Sequence, residues 1–180
     1  MRFETVATLD GRISGGRVEE LKLPVNATIA ANGSIIVNNG CTPVAFRRLS
    51  VSGLRLSSTT MRLCPIDSGS LIRYTNGRVS GGANIRAPRL TGTLGNTAVV
   101  LAANQARITL AQGGFTIDQL SARVGAGVRL STLDIATLSG RFAKGAIRGS
   151  FIGTSGKIGN VPLSMTDARG TWTLQNGQLT

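Results

Sequence analysis

The residues of this 180-residue chain that could do covalent or acid–base chemistry are few, and their types narrow the options quickly. There is no histidine, which removes Ser-His-Asp and Cys-His nucleophilic schemes and most transition-metal sites. The eight acidic residues are scattered. Glu19 and Glu20 are neighbours, and on a regular strand they would point to opposite faces, so they form no ready acid–base pair. Gly153-Thr154-Ser155-Gly156-Lys157-Ile158 looks like a phosphate loop, but it lacks the Ser/Thr after the lysine and the first glycine at its required spacing. The expectation is a protein that is not an enzyme, with no catalytic residues, no metal site and no cofactor.

Two cysteines, Cys41 and Cys64, lie beside prolines in turn-like settings, Gly40-Cys41-Thr42-Pro43 and Leu63-Cys64-Pro65. An even pair in a glycine-rich, strand-rich chain fits a disulfide in an oxidising compartment, two buried free thiols being the other reading. The net charge is +12, carried almost wholly by arginine, which invites anionic partners. The arginines are spread one or two per strand between apolar neighbours, as at Arg55, Arg62, Arg107 and Arg129, with clustering only at Arg47-Arg48 and Arg86/Arg89. That spacing reads as a solvated outer face. Aromatic residues make up only 4% of the chain, too few for base-stacking platforms, so nucleic acid is not an expected partner.

The elements carrying these residues are strands. Apolar and polar residues alternate in Leu54-Arg55-Leu56, Met61-Arg62-Leu63, Ala106-Arg107-Ile108-Thr109-Leu110, Val128-Arg129-Leu130 and Thr132-Leu133-Asp134-Ile135. Gly, Asn-Gly and Pro punctuate the chain every several residues, for example at Asn32-Gly33, Asn76-Gly77, Gly125-Ala126-Gly127 and Asn176-Gly177. The most helix-like stretches, Arg17 to Leu23 and Ile117 to Arg123, are too short for a helix, and the first also reads as a strand with a slip. The fold class is therefore all-β, an antiparallel sheet of about 15 strands with one apolar side. Either a second sheet covers that side, giving a closed β-sandwich, or the side is used. The longest apolar run, Ala98 to Ala103, is too short for a membrane-spanning helix.

Gly11-Arg12-Ile13-Ser14-Gly15-Gly16 nearly recurs at Gly77 to Gly82 and loosely at Gly140 to Gly145, a weak long-period repeat. Phe3 enters an alternating pattern at once, and Asn176-Gly177 reads as a hairpin turn with its second strand just begun. Residues 1–180 are thus expected to be a single β-repeat segment of a longer protein.

Gly156-Lys157-Ile158-Gly159-Asn160-Val161-Pro162-Leu163 and Asp167-Ala168-Arg169-Gly170-Thr171-Trp172-Thr173-Leu174 resemble the YdbH-type intermembrane phospholipid transport family of Gram-negative bacteria, part of the AsmA-like and TamB-like group. Cys41-Thr42-Pro43, Leu49-x-Val51-x-Gly53-Leu54, Leu63-Cys64-Pro65 and Ala87-Pro88-Arg89-Leu90-Thr91-Gly92-Thr93-Leu94-Gly95 are similar to it as well. The resemblance covers most of residues 40–180. It implies an elongated, curled antiparallel sheet forming a U-shaped apolar trough, with phospholipid as the partner. It also implies a periplasmic location, an inner-membrane anchor outside this segment, and a path toward the outer membrane. It brings no catalytic residues. The alternative function is a structural β-repeat segment of a surface or adhesion protein. The residues expected to line the trough are Leu54, Leu56, Met61, Leu63, Ile108, Leu110, Val128, Leu130, Leu133, Ile135, Phe142, Phe151, Leu163, Trp172 and Leu174.

Overall fold

A computed structural model describes residues 1–13, 15–66, 69–143, 145–175 and 178–180, and among these none is α-helical. Period-two alternation broken by Gly and Asn turns produces hairpin after hairpin. A long hairpin, β1 (Arg2–Ile13) and β2 (Gly16–Ile29), is followed by three short strands, β3 (Ile35–Val37), β4 (Thr42–Phe46) and β5 (Arg48–Val51), which return along β2. Next to them run β6 (Leu54–Leu56), β7 (Thr59–Pro65) and β8 (Ile72–Thr75), and then β9 (Arg78–Ser80), β10 (Gly82–Arg86) and β11 (Arg89–Leu94). The pair β12 (Thr97–Ala102) and β13 (Gln105–Thr109) comes back beside those. The long strands β14 (Gly114–Val124), β15 (Ser131–Ala143), β16 (Ala146–Lys157) and β17 (Ser164–Gln175) complete the meander, with a short β18 (Gln178–Leu179).

The 18 strands thus form one antiparallel sheet of ten uncrossed rungs, with β18 beginning a further one. The sheet is curled and does not close into a barrel, and among the described residues no second sheet packs on it as a sandwich would require. At ~4.8 Å per rung it is roughly 45 Å along the stacking direction, shorter than about 15 full strands would make it.

A stepped column of irregularities explains the curl. In nearly every rung one or two residues break the alternation, at one level from β2 to β7 and, stepped by three residues in register, at a second level from β10 to β17. They are Glu20 in β2, Arg47 between β4 and β5, Ser57-Ser58 between β6 and β7, Ala87-Pro88 between β10 and β11, Ala103-Asn104 between β12 and β13, Gln119 in β14, Ala136 in β15, Gly153 in β16 and Asp167 in β17. Glu20, Ala87, Gln119, Gly153 and Asp167 all adopt left-handed backbone, with φ between 45° and 61°. Bulges bend a strand and sharpen its twist, and a column of them makes a crease. The crease is stitched across rungs: the Asn104 N–H donates to Asp118 O at 3.0 Å and the Ala87 N–H to Asn104 O at 2.8 Å. On β1 the same level holds Asp10, whose Oδ1 accepts from the Glu20 N–H at 2.9 Å.

These bulges account for two misleading stretches. An extra residue converts period two into i, i+3 spacing, so Val18/Leu21 and Ile117/Leu120 mimic a helix while lying in β2 and β14. The bulge at Glu20 also corrects the reading of Glu19 and Glu20, because both carboxylates meet one guanidinium. Arg47 lies 2.9 Å from Glu19 Oε2 and 2.7 Å from Glu20 Oε1. A second correction concerns Val128-Arg129-Leu130, which is not a strand. Gly125 and Gly127 turn the chain with φ of 87° and 56°, and Gly127–Arg129 is a 3₁₀ turn.

The first and third copies of the Gly-Arg repeat reach hairpin turns at Gly15 and Gly145, whereas the second bends a rung at Gly81-Gly82. The expected turn at Asn176-Gly177 lies outside the described residues. Cys41 and Cys64 are joined by a disulfide, with 3.9 Å between their Cα atoms. The register Thr42↔Leu63 sets them opposite each other across two rungs.

Candidate apolar groove

Cross-strand partners share a face, so the registers sort every side chain to one side of the sheet. On one side of the crease the rows read Val18, Leu49, Leu56, Gly92, Val99, Val124 and Leu90, Leu101, Ala122, Leu133, Gly156, Met165. On the other side they read Ala83, Ile108, Phe115, Gly140, Gly149, Trp172 and Ile85, Ala106, Ile117, Leu138, Phe151, Gly170. None of these positions is charged. The opposite face carries rows such as Arg17, Ser50, Arg55, Thr93 and Asn84, Arg107, Thr116, Ser139, Ser150, Thr171.

Burial shows which face is inside the bend. Phe46, Leu56, Ile135 and Thr154, all on the apolar face and adjoining the crease, are buried. Apolar side chains toward the two rims, including Tyr74, Val79, Leu94 and Met165, are exposed. Most of the face between is half-buried. A closed core of this size would seal most of these side chains; here they form the floor and walls of an open groove.

Two adjacent glycines in one row let large rings extend over the floor. A Cβ on Gly140 would stand 2.6 Å from the Phe115 ring and 3.0 Å from Trp172, and one on Gly149 would stand 2.5 Å from Trp172. Phe115 and Trp172 therefore meet across two intervening rungs, with ring centroids 6.1 Å apart, and Phe142 packs on Phe115 at the same distance. Toward the other rim, Ala122, Val124, Leu133, Ile158, Leu163 and Met165 help enclose an apolar cavity of about 380 Å³. Two polar atoms of the apolar face, Thr154 Oγ1 and Trp172 Nε1, are buried without a hydrogen-bond partner among the described residues.

Eleven of the expected lining residues lie in strands on this face: Leu54, Leu56, Met61, Leu63, Ile108, Leu133, Ile135, Phe142, Phe151, Trp172 and Leu174. Of these, Phe142 is 56% exposed at the rim. Leu110, Val128, Leu130 and Leu163 are not in strands. Leu110 begins the turn after β13, and Val128 is 84% exposed on the 3₁₀ turn. Leu130 follows that turn, while Leu163 ends the loop before β17 and helps wall the cavity. Phe115, Ile117, Leu120, Ala122 and Val124 were missed, although two phases of alternation on either side of Gln119 could have revealed them.

Charge sits on the other face. The Arg123 guanidinium, 2.9 Å from Asp134 Oδ1, holds that carboxyl below the usual carboxylate range, with some opposition from partial burial and help from Ser121. The apolar side therefore offers hydrocarbon contact and little else. The chain matches no family model, no curated protein and no solved structure.

Proposed function

We propose that this chain is a non-enzymatic segment of a cell-envelope protein that binds phospholipid acyl chains and conducts them between the inner and outer membranes. The observation that carries this reading is the largely apolar face on a single curled layer, half-exposed along the rungs and free of charge. A face of this kind left bare in water is an aggregation hazard, and hydrocarbon is the ligand whose chemistry matches it. The resemblance to the YdbH-type family supports the same reading, with headgroups directed to solvent at the rims and anchoring supplied by regions outside this segment.

Half-covering the roughly 12 methylenes of a myristoyl chain at ~0.8 kcal/mol each yields about 5 kcal/mol, a Kd on the order of 0.2 mM. Trp172 is the sole tryptophan and lies in the groove, so it serves as the reporter. Titration with a brominated fatty acid below its micellar concentration is expected to quench Trp172 saturably, and organic extraction of the purified protein is expected to release phospholipid detectable by mass spectrometry. Protein that carries no lipid and shows no saturable quenching refutes the proposal.

A further inference from the structure

The polar face carries a second concavity, independent of the acyl-chain reading. A basin of about 780 Å³ opens over β13 to β16, with Thr116, Ser139 and Ser150 along its floor and Arg107, Arg141 and Arg148 among its walls. Arg141 and Arg148 are directly opposed in the β15–β16 register, and Arg107 is opposite Thr116 on β13. Like charges placed opposite one another weaken a sheet. Among the described residues none of the three arginines forms an ion pair; the acidic partners are taken by Arg2, Arg17, Lys22, Arg47, Arg48 and Arg123. Asp118, two residues along from Thr116 on the same face, pairs with none of them. The hydroxyls of Ser139 and Ser150 lie 3.0 Å apart, so at most one of them spends its proton on the other.

We propose that this basin binds a phosphate group bearing two negative charges, whether free or as a lipid headgroup monoester. Three guanidinium forks and neighbouring hydroxyl donors call for a ligand with several acceptor oxygens and more than one charge, which a single carboxylate does not supply. Occupancy would also relieve the Arg141–Arg148 repulsion.

The test is calorimetric titration of the full chain with sodium pyrophosphate, alongside flotation with phosphatidylcholine vesicles with and without phosphatidic acid. Pyrophosphate is expected to bind with a Kd below about 1 mM, and R141S/R148S to weaken it at least about tenfold through loss of two charge-assisted contacts. The control R12S/R55S removes the same charge elsewhere on this face and is expected to change affinity less than about threefold, as screened long-range charge should. R141S/R148S should also melt higher than wild type in phosphate-free buffer, which checks its folding by a separate readout. If that pair fails to fold, R107S carries the comparison. Flotation that requires both phosphatidic acid and the arginine pair identifies the headgroup source; pyrophosphate binding without flotation identifies a soluble one, and either supports the site. No measurable binding, or equal losses in the two double variants, overturns it. Trp172 quenching by acyl chains is unaffected by that outcome.

Discussion

The floor of the groove makes a prediction with a definite sign. Gly140 lies beneath the Phe115 and Trp172 rings, and the nearest atoms a Cβ would meet there all belong to side chains. The two rings touch each other, and Phe115 also packs on Phe142, so Phe115 is not free to swing aside at no cost. Gly140→Ala in the wild-type background gains ~0.5–1 kcal/mol from reduced backbone freedom but incurs ~1–3 kcal/mol of overpacking, a net loss of about 1–2 kcal/mol. Phe115→Ala, at a half-buried position, costs about 2 kcal/mol, roughly half the fully buried figure. In the double variant the new methyl occupies space the ring has left. It should be about 1 kcal/mol less stable than wild type, better than Phe115→Ala alone. The cycle therefore carries a coupling of about 2 kcal/mol, far outside the ~0.5 kcal/mol scatter of independent sites.

The assay is urea unfolding by circular dichroism with the disulfide intact. Gly149 is the internal control. There a Cβ would meet the backbone oxygen of Ser139 at 1.9 Å, so Trp172→Ala should not rescue Gly149→Ala. Additivity within 0.5 kcal/mol for the Gly140–Phe115 cycle, or rescue at Gly149, would refute the ring-over-glycine geometry.

Two further predictions concern stability alone. Cys41→Ser/Cys64→Ser opens a loop spanning 23 residues of sequence separation and should cost about 3.5 kcal/mol by the chain-entropy model, read as a fall in urea midpoint that vanishes when both proteins are compared under strong reductant. Asp134, whose folded pKa is depressed by Arg123, contributes stability that is full above the unfolded value of about 3.9 and lost as pH falls through the lower folded value. Both side chains are more than a third exposed, so solvent screening holds the effect below about 1 kcal/mol. Asp134→Asn should cost that much at pH 7 and progressively less as pH falls below the unfolded value, and a cost that does not change with pH would refute the pairing.

Much of this was legible from alternation alone, because a strand with one buried face writes its geometry into a two-residue period. Leu54-Arg55-Leu56 and Met61-Arg62-Leu63 are in strands with the leucines and the methionine on the apolar side. What was not legible is the crease. No residue type marks it: Glu20, Ala87, Gln119, Gly153 and Asp167 share a backbone conformation but no chemistry. Their effect on the pattern is a phase slip, which resembles a helix over seven residues and noise over three. Val128-Arg129-Leu130 shows the opposite failure, since three alternating residues between glycines are too few to separate a strand from a turn. The Arg141–Arg148 pairing was also hidden, because it depends on the register of β15 against β16 and not on proximity in sequence.

The crease also explains how a one-layer sheet with an uncharged, largely apolar side can exist. A flat sheet would present that side to water along roughly 45 Å of stacked rungs and would stack on any neighbour. Bending nearly every rung turns the two halves toward each other, so that Phe46, Leu56 and Ile135 are buried beside the bend while the rims stay open. The depth of burial then depends on how sharply each rung bends, and five of the bends require left-handed backbone, four of them at residues other than glycine. Such conformations cost on the order of 1 kcal/mol apiece at non-glycine positions. Replacing Gln119 with glycine should relieve that cost without changing the register. The same relief at Ala87 and Asp167 should make the protein more stable, and the groove should keep its affinity for acyl chains. If the glycine variants instead unfold more easily, the left-handed residues are held by their side chains, and the bend is not a backbone device.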